Sequence, residues 1–147
     1  MKQNWFIRII LGIIFALIIS ISALAGLYTD FLWFDALGFS QIFLISLFSR
    51  VKLFFATALF LFLFLIANLW VSSKITEKNV VPFRIKLFIV TIISFMVGLT
   101  ASSGWFKVLQ YFNQISFNLN DPIFIKDVSF YVFSLPFYLL VWNFLMG

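Results

Sequence analysis

The order of apolar and polar positions divides this chain into long hydrophobic runs joined by short amphipathic or polar connections. The first run extends from Ile9 to Leu27 behind Lys2 and Arg8, and its length of about 19 residues matches a membrane-crossing helix. Its end, Ala23-Leu24-Ala25-Gly26, has the small-residue character of a signal-peptidase site. The run nevertheless exceeds the roughly 7–15 apolar residues of a signal sequence, so a retained span over about 6–27 is expected. From Tyr28 to Arg50 the pattern becomes interfacial: Asp30 and Asp35 sit among Phe31, Trp33 and Phe34, which suits headgroup depth. Gly38 followed by Ser40 predicts a break and a new N-cap there.

A helix from Gln41 to Val71 would be about 46 Å long against a hydrocarbon core of about 30 Å. Arg50 and Lys52 therefore mark the edge of the bilayer, because a basic residue at its centre costs about 2.5–3.5 kcal/mol, and the second span is expected over 53–71. Ser72 to Pro82 is the most polar linker, and a third span follows over 85–102. Small residues recur at helical spacing in the first span (Gly12, Ala16, Ser20, Ala23) and in the third (Thr91, Ser94, Gly98, Ala101). These faces predict packing of the first span on the third, with the Phe/Leu-rich second span left toward lipid.

Beyond the third span lies a second interfacial segment, 103–127. Ser103–Gln114 reads as an amphipathic helix with Trp105, Val108, Leu109 and Phe112 on its apolar face. Asp121 is placed to cap and Pro122 to begin a helix, with Asp127 as a second cap before Val128. Pro136 either kinks a helix running from Val128 or starts a new one capped by Ser134, and the new start is preferred. A fourth span is thus partial or kinked, from about 128–136 to 147.

Composition sets the class. Of the 147 residues, 64% are hydrophobic and only 10% charged, too little polar surface to cover a water-soluble core. The fold expected is all-α: a polytopic helical membrane protein with interfacial amphipathic helices, forming one transmembrane unit over 1–147. With neither cysteine nor histidine, disulfides, thiol chemistry, Cys/His zinc sites and histidine acid–base mechanisms are excluded. The net charge of +5 comes from basic residues scattered at the ends of apolar runs, a pattern for anionic lipid and topology and not for nucleic acid. Lys2 and Arg8, and then Lys74, Lys78, Arg84 and Lys86, predict a cytoplasmic N-terminus and a cytoplasmic second connection in the cell membrane.

Candidate chemistry is sparse. Asp30 and Asp35, five residues apart, do not share a helix face, and no base or metal ligand accompanies them. Asn68, near the end of a span, is expected to bond a neighbouring helix or the interface. Asp121, Lys126 and Asp127 are read as caps and a surface ion pair in preference to an ion site. No catalytic, cofactor-binding or metal-binding residue is nominated, no cofactor is expected, and the chain is not expected to be an enzyme.

Two stretches carry a resemblance. Asp121–Tyr138, DPIFIKDVSFYVFSLPFY, closely resembles a signature of the integral membrane proteins grouped as uncharacterised protein family 0182. Thr29–Phe43, TDFLWFDALGFSQIF, is similar to that family's second signature, with Phe31 where relatives often have Trp and Phe39 where they often have Tyr. The motif positions are Asp30, Trp33, Phe34, Asp121, Pro122, Asp127, Phe130, Tyr131 and Pro136. The resemblance implies a prokaryotic membrane protein with about seven membrane helices of ordinary length, followed by a large extracytoplasmic domain. This chain would be its N-terminal portion, with the lipid bilayer, the remaining helices and that outer domain as its partners. The function expected is anchoring and orienting a larger envelope protein. The alternative is part of a transporter or channel for a small solute or lipid, for which mid-membrane charges or inverted repeats would be needed.

Overall fold

The computed structural model describes residues 2–75 and 81–146, and all regular structure among them is helical. Positions 76–80 of the polar linker, including Glu77 and Lys78, lie outside the described residues. Three helices are long and apolar enough to cross a membrane: Phe6–Ala36, Ser40–Ile75 and Phe83–Ser102. The chain divides into two compact units, Met1–Ile45 and Ser46–Gly147.

Helix α1 spans Lys2–Ala36 without interruption, so the Tyr28–Asp35 stretch, expected at headgroup depth, continues the same helix. Acidic and aromatic side chains change where a helix is comfortable, not whether its backbone bonds form. Only Gly38 ends it. Gly38 takes φ +76°, its N–H donates to Asp35 O at 2.9 Å, and Phe39 N donates to Phe34 O at 2.8 Å. This is a Schellman closure, which requires a left-handed residue one position beyond the cap. Phe31 and Phe34 then meet Phe43 across the turn, with ring centroids 5.8 and 5.7 Å apart.

Helix α2 runs Ser40–Ile75, a continuous 36 residues, or about 54 Å. Arg50 and Lys52, expected to mark the edge of the bilayer, lie within this unbroken helix. Lys and Arg are good helix formers, so a charge pair can mark a change of surroundings without ending the helix. Ser40 is the first helical residue; the N–H groups of Ile42 and Phe43 go to Phe39 O.

Helix α3, Phe83–Ser102, follows Pro82 and carries Val90, Ser94 and Gly98 buried on one face at spacings of four. Its neighbour there is α2: a Cβ built on Gly98 would lie 2.8 Å from Ala58 Cβ and 3.0 Å from the Phe54 ring. Phe54 and Phe95 add an edge-to-face contact at 5.3 Å. The small-residue face of α3 therefore packs on the second span, which the sequence had left toward lipid. Ala58 supplies the complementary gap in an otherwise bulky helix.

Helix α4 is short, Trp105–Phe112. Trp105, Val108 and Leu109 are half-buried as expected, but Phe112 is 74% exposed and Tyr111 takes its place on the packed side. After an irregular crossing, helical structure resumes at Val128, passes through a π turn at Phe130–Ser134 and continues as α5, Leu135–Met146. Pro136 does not start a new helix and Ser134 is not its cap. A proline in an α-helix collides with the carbonyl four residues back and leaves it without a donor. The π turn, in which Leu135 N–H donates to Phe130 O five residues back, removes that conflict by widening the turn just before the proline.

Candidate functional site

The polar material of the larger unit collects in the crossing between α4 and α5. Its centre is the Asp127 carboxylate. One oxygen accepts from Asn118 N at 2.9 Å and from the Ser116 hydroxyl; the other accepts from Ser129 N at 2.8 Å and Phe117 N at 3.2 Å. Ser129 is the second residue of the helix that starts at Val128, so Asp127 is the N-cap the sequence predicted. It also closes the preceding loop, a role with no local sequence signal because the partners lie nine to eleven residues back. The Ser116 hydroxyl and then the Ser129 amide hold the Asp127 carboxyl well below the usual carboxylate range.

Asp121 caps a turn and not a helix. Its carboxylate accepts from Ile123 N at 2.6 Å and Phe124 N at 3.2 Å, its carbonyl accepts from Ile125 N at 2.9 Å, and its N–H donates to Lys126 O at 2.8 Å. Pro122 opens that turn, where its fixed φ is useful, but no helix follows it. The turn closes through an antiparallel bridge between Asn120 and Asp127, and Val128 N donates to Leu119 O at 2.9 Å. Asn118 and Ile125 both adopt φ of 54°. For Asn this is tolerable; for a β-branched residue it is strained. The expected ion pair is replaced: Lys126 Nζ stands 5.7 Å from the Phe130 ring centroid, a cation–π contact.

Aromatic rings tie this crossing to α4. Tyr111 and Phe137 stack with centroids 4.0 Å apart and planes at 13°, and the Tyr111 and Tyr138 hydroxyls lie 3.4 Å apart. Phe130 packs on Tyr131 at 5.4 Å and on Tyr138 at 6.3 Å, while burial and then the Asp121 charge push the Tyr131 phenol up. The Ser134 hydroxyl donates to Gln114 Oε1 at 2.8 Å, pinning the π turn to the end of α4. Tyr111, Gln114 and Ser116 were not singled out from the sequence. Their partners are 11 to 27 residues away, and only the unusual density of polar and aromatic residues hinted at them.

The other motif residues belong to the smaller unit. Asp30 and Trp33 are exposed on α1, with Trp33 edge-on to Phe34 at 5.1 Å, and Phe34 is half-buried against Phe43. Asn68 donates to Phe64 O of its own helix at 2.8 Å and not to a neighbouring helix. Among the described residues, no three Asp or Glu side chains gather as a metal-binding group.

The family model described as "Uncharacterised protein family (UPF0182)" matches residues 7–147. Curated relatives named as UPF0182 proteins include one from Desulforamulus reducens, 34% identical over 82% of this chain, and one from Saccharopolyspora erythraea, 32% identical over 97%. Another, from Methanospirillum hungatei, is 30% identical over 90% of the chain. The matched region is 17% of the length of the first two relatives and 15% of the third. No solved structure matches the chain.

Proposed function

Since this chain belongs to the uncharacterised protein family UPF0182, whose curated members are several times its length, we propose that it forms the membrane-anchoring and orienting part of a larger envelope protein and has no enzymatic role of its own. One observation carries the reading: the Asp127 carboxylate, the most elaborately held polar group described, is fully engaged by the Ser116 hydroxyl and three backbone N–H groups. A carboxylate so engaged fixes a chain reversal and has little acceptor capacity left for a substrate, proton or ion. In this reading α1, α2 and α3 cross the cell membrane with the N-terminus cytoplasmic, and α5 begins the fourth crossing.

The long α2 fits this arrangement without a break. With Leu53–Val71 in the hydrocarbon, the Ser40–Lys52 portion projects about 20 Å beyond it. Arg50 then stands at the level of α4, consistent with its guanidinium lying 5.4 Å from the Trp105 ring centroid. The crossing between α4 and α5 forms an outer collar against which the rest of the protein is seated. The competing transporter reading makes a different prediction. Flux of ions or small solutes into vesicles containing the full-length protein, lost in Asp127→Asn or Asn68→Ala variants that still insert, would replace anchoring with transport. Flux at the level of protein-free vesicles is the expected result.

A further inference from the structure

The larger unit carries a feature that anchoring does not use, a half-open cavity of about 550 Å³ among α2, α3, α4 and α5. Its walls are mainly apolar, with Leu53, Val97, Leu140 and Phe144 prominent. Three hydroxyls reach it, and each spends its proton on its own helix: Thr57 on Leu53 O at 2.7 Å, Thr100 on Met96 O at 3.0 Å, and Ser103 on Thr100 O at 2.7 Å. That leaves Lys107 as the cationic donor of the lining, exposed on α4, with no carboxylate paired to it among the described residues. The side-chain amide of Asn143 is likewise without a hydrogen-bond partner among the described residues.

Volume and lining together suit a slender apolar ligand with an anionic end. Ligand cavities run about 300–1,000 Å³, and an alkyl chain fits an apolar wall of this size without leaving polar groups unpaired. Lys107 lies on the amphipathic helix, where a lipid headgroup would be, while Val97 and Phe144 sit one to two turns along their helices from the α3–α4 connection. We propose that the cavity is a binding site for an anionic membrane phospholipid, one acyl chain lying between α2, α3 and α5 and its phosphate against Lys107. Both lipids compared below carry a phosphodiester, so the selectivity comes from net charge: the phosphatidylglycerol headgroup leaves its phosphate uncompensated before Lys107, whereas the choline ammonium offsets it, and the alkyl chain supplies affinity without selecting a headgroup.

The site draws its ligand from the bilayer, so the inference rests on the membrane reading above, but it can be tested apart from topology. Native mass spectrometry of the detergent-purified protein would compare phosphatidylglycerol with phosphatidylcholine of identical acyl chains. One phosphatidylglycerol should bind per chain, preferred about tenfold, the order expected for one uncompensated charge facing a lysine near a protein surface. Lys107→Gln should bring the two lipids to similar affinity, and Val97→Trp should weaken both by filling the cavity. If Val97→Trp fails to fold, Val141→Trp fills the same volume from α5. Equal binding of the two lipids by the unaltered chain, a preference that survives Lys107→Gln, or unchanged binding in a folded tryptophan variant would overturn the proposal. A reversed topology with the headgroup preference intact would instead count against the anchoring scheme alone.

Discussion

At the scale of single residues, the two polar groups that matter most differ in how well they are satisfied. Asp127 is saturated, and its lowered pKa gives a definite sign. A carboxylate whose folded-state pKa is depressed stabilises the fold above its unfolded value and loses that contribution as pH falls through the folded one. Asp127 should therefore stay ionised while ordinary carboxylates protonate, and the loop at Ser116–Asn118 should hold together until the pH is well below that range. Carboxyl carbon shifts followed by NMR in detergent would show it; titration of Asp127 near pH 4 would contradict the geometry. Ser94 is the opposite case, 3% exposed with its hydroxyl unbonded among the described residues. Ser94→Ala should raise stability by about 1 kcal/mol in thermal unfolding, because an unmet hydroxyl is removed and little volume changes. Ile125 holds a left-handed conformation that costs a β-branched residue about 1–2 kcal/mol. Since its side chain is 77% exposed, Ile125→Asn should recover part of that cost, to be read in the same assay.

At the scale of elements, the α2–α3 contact is governed by which atoms can move. A methyl group on Gly98 would meet Ala58 Cβ at 2.8 Å, and a Cβ atom cannot retreat without its backbone. Gly98→Ala should force the helices apart and cost about 1–3 kcal/mol. Gly104 looks tighter, with Leu140 Cδ1 directly in the way of a methyl group, yet that atom ends a flexible side chain that can swing away. Gly104→Ala should cost clearly less than Gly98→Ala, and a reversal of that order in detergent unfolding would show that the helix pair is looser than described. Much of this level could be read from the chain. Gly38 announced the turn between α1 and α2, Pro82 the start of α3, and Asp127 the helix beginning at Val128. What could not be read was pairing and continuity. The face carrying Ser94 and Gly98 was visible as a stripe, but nothing in its spacing says which helix it meets. Arg50 and Lys52 announce a change of surroundings, which a helical backbone crosses without breaking. Pro136 allowed a kink or a start, and the π turn that reconciles it with a continuous helix depends on Gln114, 20 residues before Ser134.

At the scale of the whole molecule, the anchoring scheme depends on orientation, which follows from charge. Lys74 at the end of α2, Lys78 in the linker and Arg84 and Lys86 at the start of α3 cluster around the second connection against a single acidic residue, Glu77. Carrying that connection across a membrane is opposed by each basic residue, whereas the crossing between α4 and α5 contains Asp121 and Asp127 with Lys126 alone opposing them. Single cysteines at Ser73 and Ile123, introduced into the naturally cysteine-free chain, give a direct measurement. A membrane-impermeant maleimide added to intact cells should label Ile123→Cys and spare Ser73→Cys until the cells are opened. Ile123 is 78% exposed and its side chain makes no hydrogen bond, so failure to label would reflect sidedness or cover by another part of the protein. Repeating the labelling after permeabilisation separates those cases: a cysteine on the wrong side becomes reactive, and one covered by the seated outer portion stays protected from both sides. Labelling from outside is the result the orientation requires, and protection from both sides would place Ile123 under the outer portion and leave sidedness to be read from a neighbouring exposed position such as Phe124.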